Sequence, residues 1–394
     1  MFGVLTAWIS QRWALAVFEG GFFALGAVCC CAFAYRPFRV EFPAVACVPW
    51  AAVAIGAVQL YSGWTVNRWE TAAAMAHWAT FGLVVVIAAQ FAVRASLRDA
   101  VRQGLLWFAA AVAIVGIVQY FTANGKVFWL FELDRPIVPL GPFLYRNKYA
   151  QFVELFIPMT LYRAIERPRV AIPWVVLGMG MLAGSIGAGS RSGFVVGIVE
   201  TAVFFFLVGL GGRVDRGRML RSVAQVGALL VLAGGVVGWE FLQSRFQSDI
   251  REDARLPIAL ATLDMIRERP LTGFGLGTFS SAYGEFARLD TGLFVNQAHC
   301  DWLQWPAEGG VALLLLMLGV GALAVRLAWA CPWCLGVPVV LLHGLVDYPM
   351  QQVPQFAALV WAMLALGCAD FRSLVQKGSP MRPLYDRAGR SEAR

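Results

Sequence analysis

The stretch Thr71-Ala-Ala-Ala-Met-Ala-His-Trp-Ala-Thr-Phe-Gly-Leu-Val-Val-Val-Ile-Ala-Ala-Gln-Phe-Ala-Val93 holds no Asp, Glu, Lys or Arg. A helix of about 20 apolar residues crosses a hydrocarbon core of roughly 30 Å, so this run is long enough to span a membrane. Outward from it, similar runs lie near 13–34, 42–61, 101–121, 148–165, 171–189, 192–210, 223–241, 305–327, 334–348 and 354–370, about eleven in all. In hydrocarbon no water serves the backbone N–H and C=O groups, and helices satisfy them internally. The sequence therefore predicts an all-α, polytopic transmembrane helical bundle, with residues 1–394 forming a single transmembrane domain.

Composition agrees. The chain is 59% hydrophobic and 14% charged, with a mean hydropathy of +0.66, whereas a soluble domain carries about a quarter charged residues. A net charge of +8 would suggest nucleic acid in a soluble protein, but here the charge sits in short loops and the tail. No groove of alternating basic and aromatic residues argues for DNA or RNA, so the expected surroundings are membrane lipids. The run from Trp13 to Ala34 is longer than a signal-peptide core, and no small-residue cleavage pattern follows it; it reads as a retained anchor.

Orientation comes from basic residues in alternate loops: Arg36 and Arg39; Arg94, Arg98 and Arg102; Arg163, Arg167 and Arg169; Arg213, Arg216, Arg218 and Arg221. Positive loops stay on the cytoplasmic side, as does the basic tail 371–394 with Arg372, Lys377, Arg382, Arg387, Arg390 and Arg394. Eleven crossings then put the N-terminus outside, unless Met1 to Gln11 is the remnant of a further helix. The long loops, about 122–147 and 242–304, fall on the outer side, and long loops in compact proteins carry function. Within 242–304, Leu256, Ala259, Leu260, Leu263 and Ile266 recur at helical spacing after Asp253, a candidate N-cap.

Charged groups inside spans are costly, so their placement is informative. Glu19, His77, Glu154, Arg191, Glu308, His343 and Asp347 all fall toward the outer ends of their spans, which points to a polar cavity opening outward. Of eight cysteines only Cys300 lies on the outer side, so no disulfide is expected there. Cys331-Pro-Trp-Cys334 has redox spacing but joins two apolar runs and lacks a βαβ setting; it reads as a helix connection. Likewise Gly273-Phe-Gly275-Leu-Gly277 has neither the preceding strand nor the βαβ unit of a nucleotide fingerprint, and reads as a turn. No cofactor is expected.

Four segments, in order, resemble the O-antigen ligase and polymerase superfamily of bacterial surface-glycan assembly: Tyr145-Arg-Asn-Lys-Tyr-Ala150; Gly189-Ser-Arg-Ser-Gly193; Pro270-Leu-Thr-Gly-Phe-Gly-Leu-Gly-Thr-Phe279; and Ala298-His-Cys-Asp-Trp-Leu-Gln304 followed by Glu308-Gly-Gly310. A fifth, His343-Gly-Leu-Val-Asp347-Tyr-Pro349, is similar to the family's penultimate span. The resemblance covers about residues 100–370. It implies a C-type glycosyltransferase fold that takes a glycan from a polyprenyl-diphosphate carrier, without metal, at the periplasmic face of the inner membrane. The family commonly has about twelve spans, so eleven is a departure.

Carried over by position, the resemblance assigns Arg191 to the Ser-Arg motif, Arg255 to the arginine ahead of the loop helix, and His299 to the loop histidine motif. Arginine offers planar bidentate contacts to phosphate, which suits a departing lipid diphosphate; the plainer alternatives are a helix cap for Arg191 and a solvated side chain for Arg255. His299 takes a hydroxyl proton or clamps phosphate as imidazolium. Arg146, Lys148, Glu154 and Asp347 are candidate substrate-binding residues. The acceptor decides between ligase (lipid A–core, favoured), polysaccharide polymerase and protein O-oligosaccharyltransferase. A lipid-linked glycan transporter is the alternative without chemistry, but no internal repeat supports it.

Overall fold

The computed structural model describes residues 1–9, 11–37, 39–133, 137–167, 171–187, 190–210, a few positions between 217 and 228, 255–288 and 294–376. Every regular element among them is helical. In chain order these are α1 (Phe2–Leu5), α2 (Arg12–Tyr35), α3 (Cys47–Tyr61), α4 (Arg68–Ala92), α5 (Ala95–Thr122), α6 (Arg146–Glu166), α7 (Ala171–Gly187) and α8 (Arg191–Leu210). After α9 (Arg255–Glu268) and α10 (Phe279–Tyr283) come α11 (Asp301–Ala330), α12 (Gly336–His343), α13 (Pro349–Gln352) and α14 (Pro354–Gln376).

Seven helical stretches among the described residues are long and apolar enough to cross a membrane: α2, α3 with the turn before it, α4, α5, α8, α11 and α14. These match seven of the eleven expected runs. Two more runs appear as shorter apolar helices, in α7 and around α12, and the run 223–241 lies outside the described residues. The run 148–165 became α6, which is too polar to count by apolarity alone. Its position explains why: from Lys148 to Leu161 every residue of α6 is buried. A helix enclosed by protein on all sides touches no lipid, so it can carry Lys148, Gln151 and Glu154 at the heart of the bundle. α2 is the opposite case, with Ala14 its only buried residue and an apolar surface suited to lipid.

The two ends of the bundle differ. At one end α5, α6, α14 and the turn at Trp333 meet around Asp370, which lies 2.6 Å from Arg98 and 3.1 Å from Arg102. Trp333 Nε1 also donates to Asp370 at 3.1 Å. The Cys331–Cys334 stretch is a buried turn in which neither cysteine forms a disulfide, as holds for the other six. At the far end α9, α10 and the residues leading into α11 form a cap with its own small core of Ile258, Ala261, Met265, Phe274, Phe279, Ala282, Tyr283, Ala298 and Ala307.

The loop helix exists as expected, and its most deeply buried residues lie to one side of the expected stripe. Ile258, Ala261, Thr262 and Met265 face inward, while Leu256 is 65% exposed. Of the expected stripe, Leu256 lies outside, Ala259, Leu260 and Leu263 are half-buried, and Ile266 packs against the core. Periodicity cannot rank them by depth. Asp253 lies outside the described residues.

Two motifs that are far apart in sequence form one joint in this cap. Gly310 interrupts α11 with φ 66° and ψ −171°, so nearby carbonyls are released from the helix ladder. The glycine-rich segment takes them up: Phe274 N donates to Ala307 O at 2.9 Å, Gly275 N to Glu308 O at 3.0 Å, and Val311 N to Pro270 O at 2.8 Å. Gln59 Nε2 adds bonds to the carbonyls of Thr272 (2.7 Å) and Glu308 (2.8 Å). A Cβ on Gly273, at φ +61°, would sit 2.2 Å from Glu308 O, and one on Gly310 would sit 2.1 Å from Leu271 O. Glycine is required here by close backbone approach and left-handed geometry. Glu308 is consumed by the same joint, accepting from Gly277 N at 2.9 Å and Gln304 Nε2 at 2.8 Å. It therefore does not face an open polar cavity.

Candidate functional site

Asp301 begins α11 and fixes the histidine before it. Its backbone N donates to Gly344 O at 2.9 Å, and its carboxylate accepts from Met350 N at 3.0 Å. These bonds tie the start of α11 to the corner between α12 and α13. His299, two residues earlier, is held at φ 54°. For a non-glycine residue this left-handed position costs about 1–3 kcal/mol and persists only where surrounding structure enforces it. Its ring meets that of Tyr348 edge-on, with centroids 4.7 Å apart at 84°.

Beside this pair lies a buried ion pair, Lys148 Nζ to Asp347 Oδ1 at 3.1 Å. Asn147 Nδ2 donates to the other carboxylate oxygen at 3.0 Å, and Tyr348 N donates to Oδ1 at 2.8 Å. Lys148 Nζ also sits 4.1 Å from the centre of the Tyr348 ring. The chain of contacts reaches α8 through Ser190, whose Oγ donates to Asn147 Oδ1 at 3.0 Å and accepts from Gly193 N at 3.2 Å. Ser190 thus caps the helix that Arg191 opens; the Arg191 side chain lies outside the described residues. Arg255 opens α9 and donates to Val346 O at 3.0 Å, closing the ring of elements.

The N-terminal ends of α6, α8, α9 and α11 therefore converge on the α12–α13 corner. Helix N-termini carry partial positive charge and free N–H groups, and favour anions. Lys148 is matched by Asp347, but Arg255 has no carboxylate partner among the described residues. Arg255 thus brings to this end a guanidinium that no described carboxylate pairs. Burial, and then the Arg255 charge, hold the His299 imidazole below its ordinary value of 6.5. It is neutral at pH 7 and able to accept a proton.

The remaining candidates are placed as follows. Arg146 is exposed at the first position of α6. Glu154 is fully enclosed, one helical turn and more below Lys148, where its Oε2 lies 2.8 Å from His343 Nδ1. It is brought to His343 and not to the open surface of the site. Glu19 and His77 pair in the same way on α2 and α4. Residues that sequence reading left unassigned, Asn147, Ser190 and Tyr348, sit inside the quoted motifs; their signal was adjacency to a charged candidate.

Residues 176–318 match the family model described as O-antigen ligase. That match bears out the superfamily resemblance, and supports transferase chemistry of the ligase or polymerase type. A search of curated proteins returned no match. The matched stretch contains Arg191, Arg255 and His299, together with both halves of the glycine joint. Lys148 and Asp347 lie outside it, and tertiary contact joins them to the matched stretch.

Proposed function

We propose that this protein is an O-antigen ligase-like glycosyltransferase. It moves a glycan from a polyprenyl-diphosphate carrier to an acceptor hydroxyl, lipid A–core being favoured, at the periplasmic face of a bacterial inner membrane. The observation that carries this reading is the convergence of Arg255, Lys148 and His299 on one corner where four helix N-termini meet. That arrangement fits a ligand with several phosphate oxygens.

In the reaction, the acceptor oxygen attacks the anomeric carbon and the bond from that carbon to the diphosphate oxygen breaks. The carrier diphosphate leaves with one more negative charge. Arg255 and Arg191 offer bidentate donors to those oxygens, most strongly as charge develops on the leaving group. His299, neutral before reaction, takes the acceptor's proton, so its role as base is preferred to that of phosphate clamp. Asp347 and Lys148 hold the corner against which the histidine is aimed, with Glu154 acting through His343 beneath them. No metal is needed in this scheme: the arginines supply the charge, and no trio of His, Cys, Asp or Glu among the described residues is placed to share a cation.

Purified protein reconstituted with a polyprenyl-diphosphate glycan and, in turn, lipid A–core, a second lipid-linked repeat and an acceptor peptide tests this directly. The expected product by mass is glycosylated lipid A–core, formed equally well in EDTA. Transfer to the repeat or the peptide alone would rename the enzyme; transfer to none would refute it. For orientation, Leu271→Cys is expected to react with an impermeant thiol reagent in spheroplasts, and Val375→Cys only after lysis.

A further inference from the structure

Lys148 forms part of the wall of a cavity of about 620 Å³ beside the reactive corner. Pockets of this size suit small-ligand binding. Its lining sets four carboxamides, Gln11, Asn296, Gln352 and Gln355, among apolar residues and the charged Arg12, Glu132 and Lys148, with Trp8 and Tyr145 as aromatic surfaces. Gln352 Oε1 is buried without a hydrogen-bond partner among the described residues. The Trp8 ring is braced against Phe131, with centroids 4.9 Å apart at 33°, so the indole is a fixed wall.

The charges around the cavity are largely spent. Lys148 is paired with Asp347 at 3.1 Å and Glu132 with Lys126 at 2.9 Å, which leaves the exposed Arg12. A second diphosphate would call for more unpaired cations, and a lipid tail for a wall without amides. Carboxamides offer both donors and acceptors, and aromatic faces cover the apolar C–H surface of a ring. Hydroxyl-rich, uncharged rings match both.

We infer that this cavity is a sugar-binding subsite that holds a glycan residue next to the reacting centre. The segment before α2, through Trp8 and Gln11, thereby helps set glycan specificity. The inference rests on the transferase reading for its substrate class. The sugar belongs either to the donor glycan or to the acceptor, and the chemistry of recognition is common to both.

Binding is measured on the reconstituted full-length chain with two soluble probes that cannot react. One is the repeat-unit oligosaccharide released from its carrier, and the other is the core oligosaccharide released from lipopolysaccharide. One of them is expected to bind, with affinity lowered about tenfold or more by Trp8→Ala and by Gln352→Ala. Asn296→Ala, at an exposed position, guards against loss of folding and is expected to act in the same direction. In turnover, KM for the glycan of that arm rises more than kcat falls, which also tells donor from acceptor. A chain that binds the probe in this variant-sensitive way but transfers nothing would refute the transferase reading and uphold the subsite. Failure of both probes to bind wild type, or binding and KM unchanged in all three variants, overturns it.

Discussion

Asp370 and Asp347, at opposite ends of the bundle, are both largely buried carboxylates, but they are answered differently. Around Asp370 the charges close on themselves: Arg98 and Arg102 flank it, Trp333 donates to it, and Arg102 also reaches Asp99 at 2.6 Å. Every partner there is another part of the frame. Around Asp347, Lys148 and Asn147 answer the carboxylate, while Arg255 and His299 stand beside it with capacity left over. A balanced knot holds helices together; an unbalanced one holds helices together and also attracts an anion. The difference separates scaffold from site more clearly than burial does.

The comparison breaks first on stability. Asp370→Asn leaves buried guanidinium charge uncompensated and is expected to cost about 3–5 kcal/mol, with transfer per folded molecule preserved. Asp347→Asn is expected to lower transfer beyond any loss of folded protein. Thermal unfolding in detergent beside normalised turnover checks both, and equal specific activities in the two variants would erase the distinction.

Next in size is His299→Ala, for which turnover is expected to fall about 100-fold or more with insertion intact. The pH dependence gives the sign. A base must be neutral, and burial with Arg255 nearby lowers the histidine's pKa; kcat/KM of the wild type should therefore hold at pH 7 and fall on acidification with a midpoint below 6.5. A fall on the alkaline side through the histidine range would instead mark an imidazolium clamp.

Arg255→Lys and Arg191→Lys keep charge and lose the planar fork, and each is expected to reduce transfer about tenfold. Full activity in both lysine variants would mean that charge alone suffices. The smallest effect concerns the cap: Ile258→Val should cost about 1 kcal/mol, while Leu256→Val, on the exposed face, should stay within about 0.5 kcal/mol. Reversed values would restore the face inferred from periodicity.

Much of the frame was legible because hydrocarbon leaves the backbone few choices. The run 71–93 is α4 at Arg68–Ala92, and 192–210 is α8 at Arg191–Leu210. The run 148–165 is also present, as α6 at Arg146–Glu166, but apolarity could not tell that protein encloses it, nor which residues of α9 are buried deepest. The glycine-rich segment was correctly read as no nucleotide fingerprint, yet its purpose required Gly310 to be seen breaking α11.

The sequence by itself determined that this chain is helical, membrane-embedded and equipped with arginines and a histidine in an order that resembles glycan-transfer enzymes. Those properties follow from local composition and spacing, which are readable along one dimension. Only the tertiary structure decided which charges meet. Lys148 and Asp347 are 199 positions apart, and Glu154 and His343 are 189 apart. Their pairing depends on how α6 packs against α12 and on how Asp301 ties α11 to the corner after α12. Electrostatic partners are selected by distance in space, and the fold alone sets it.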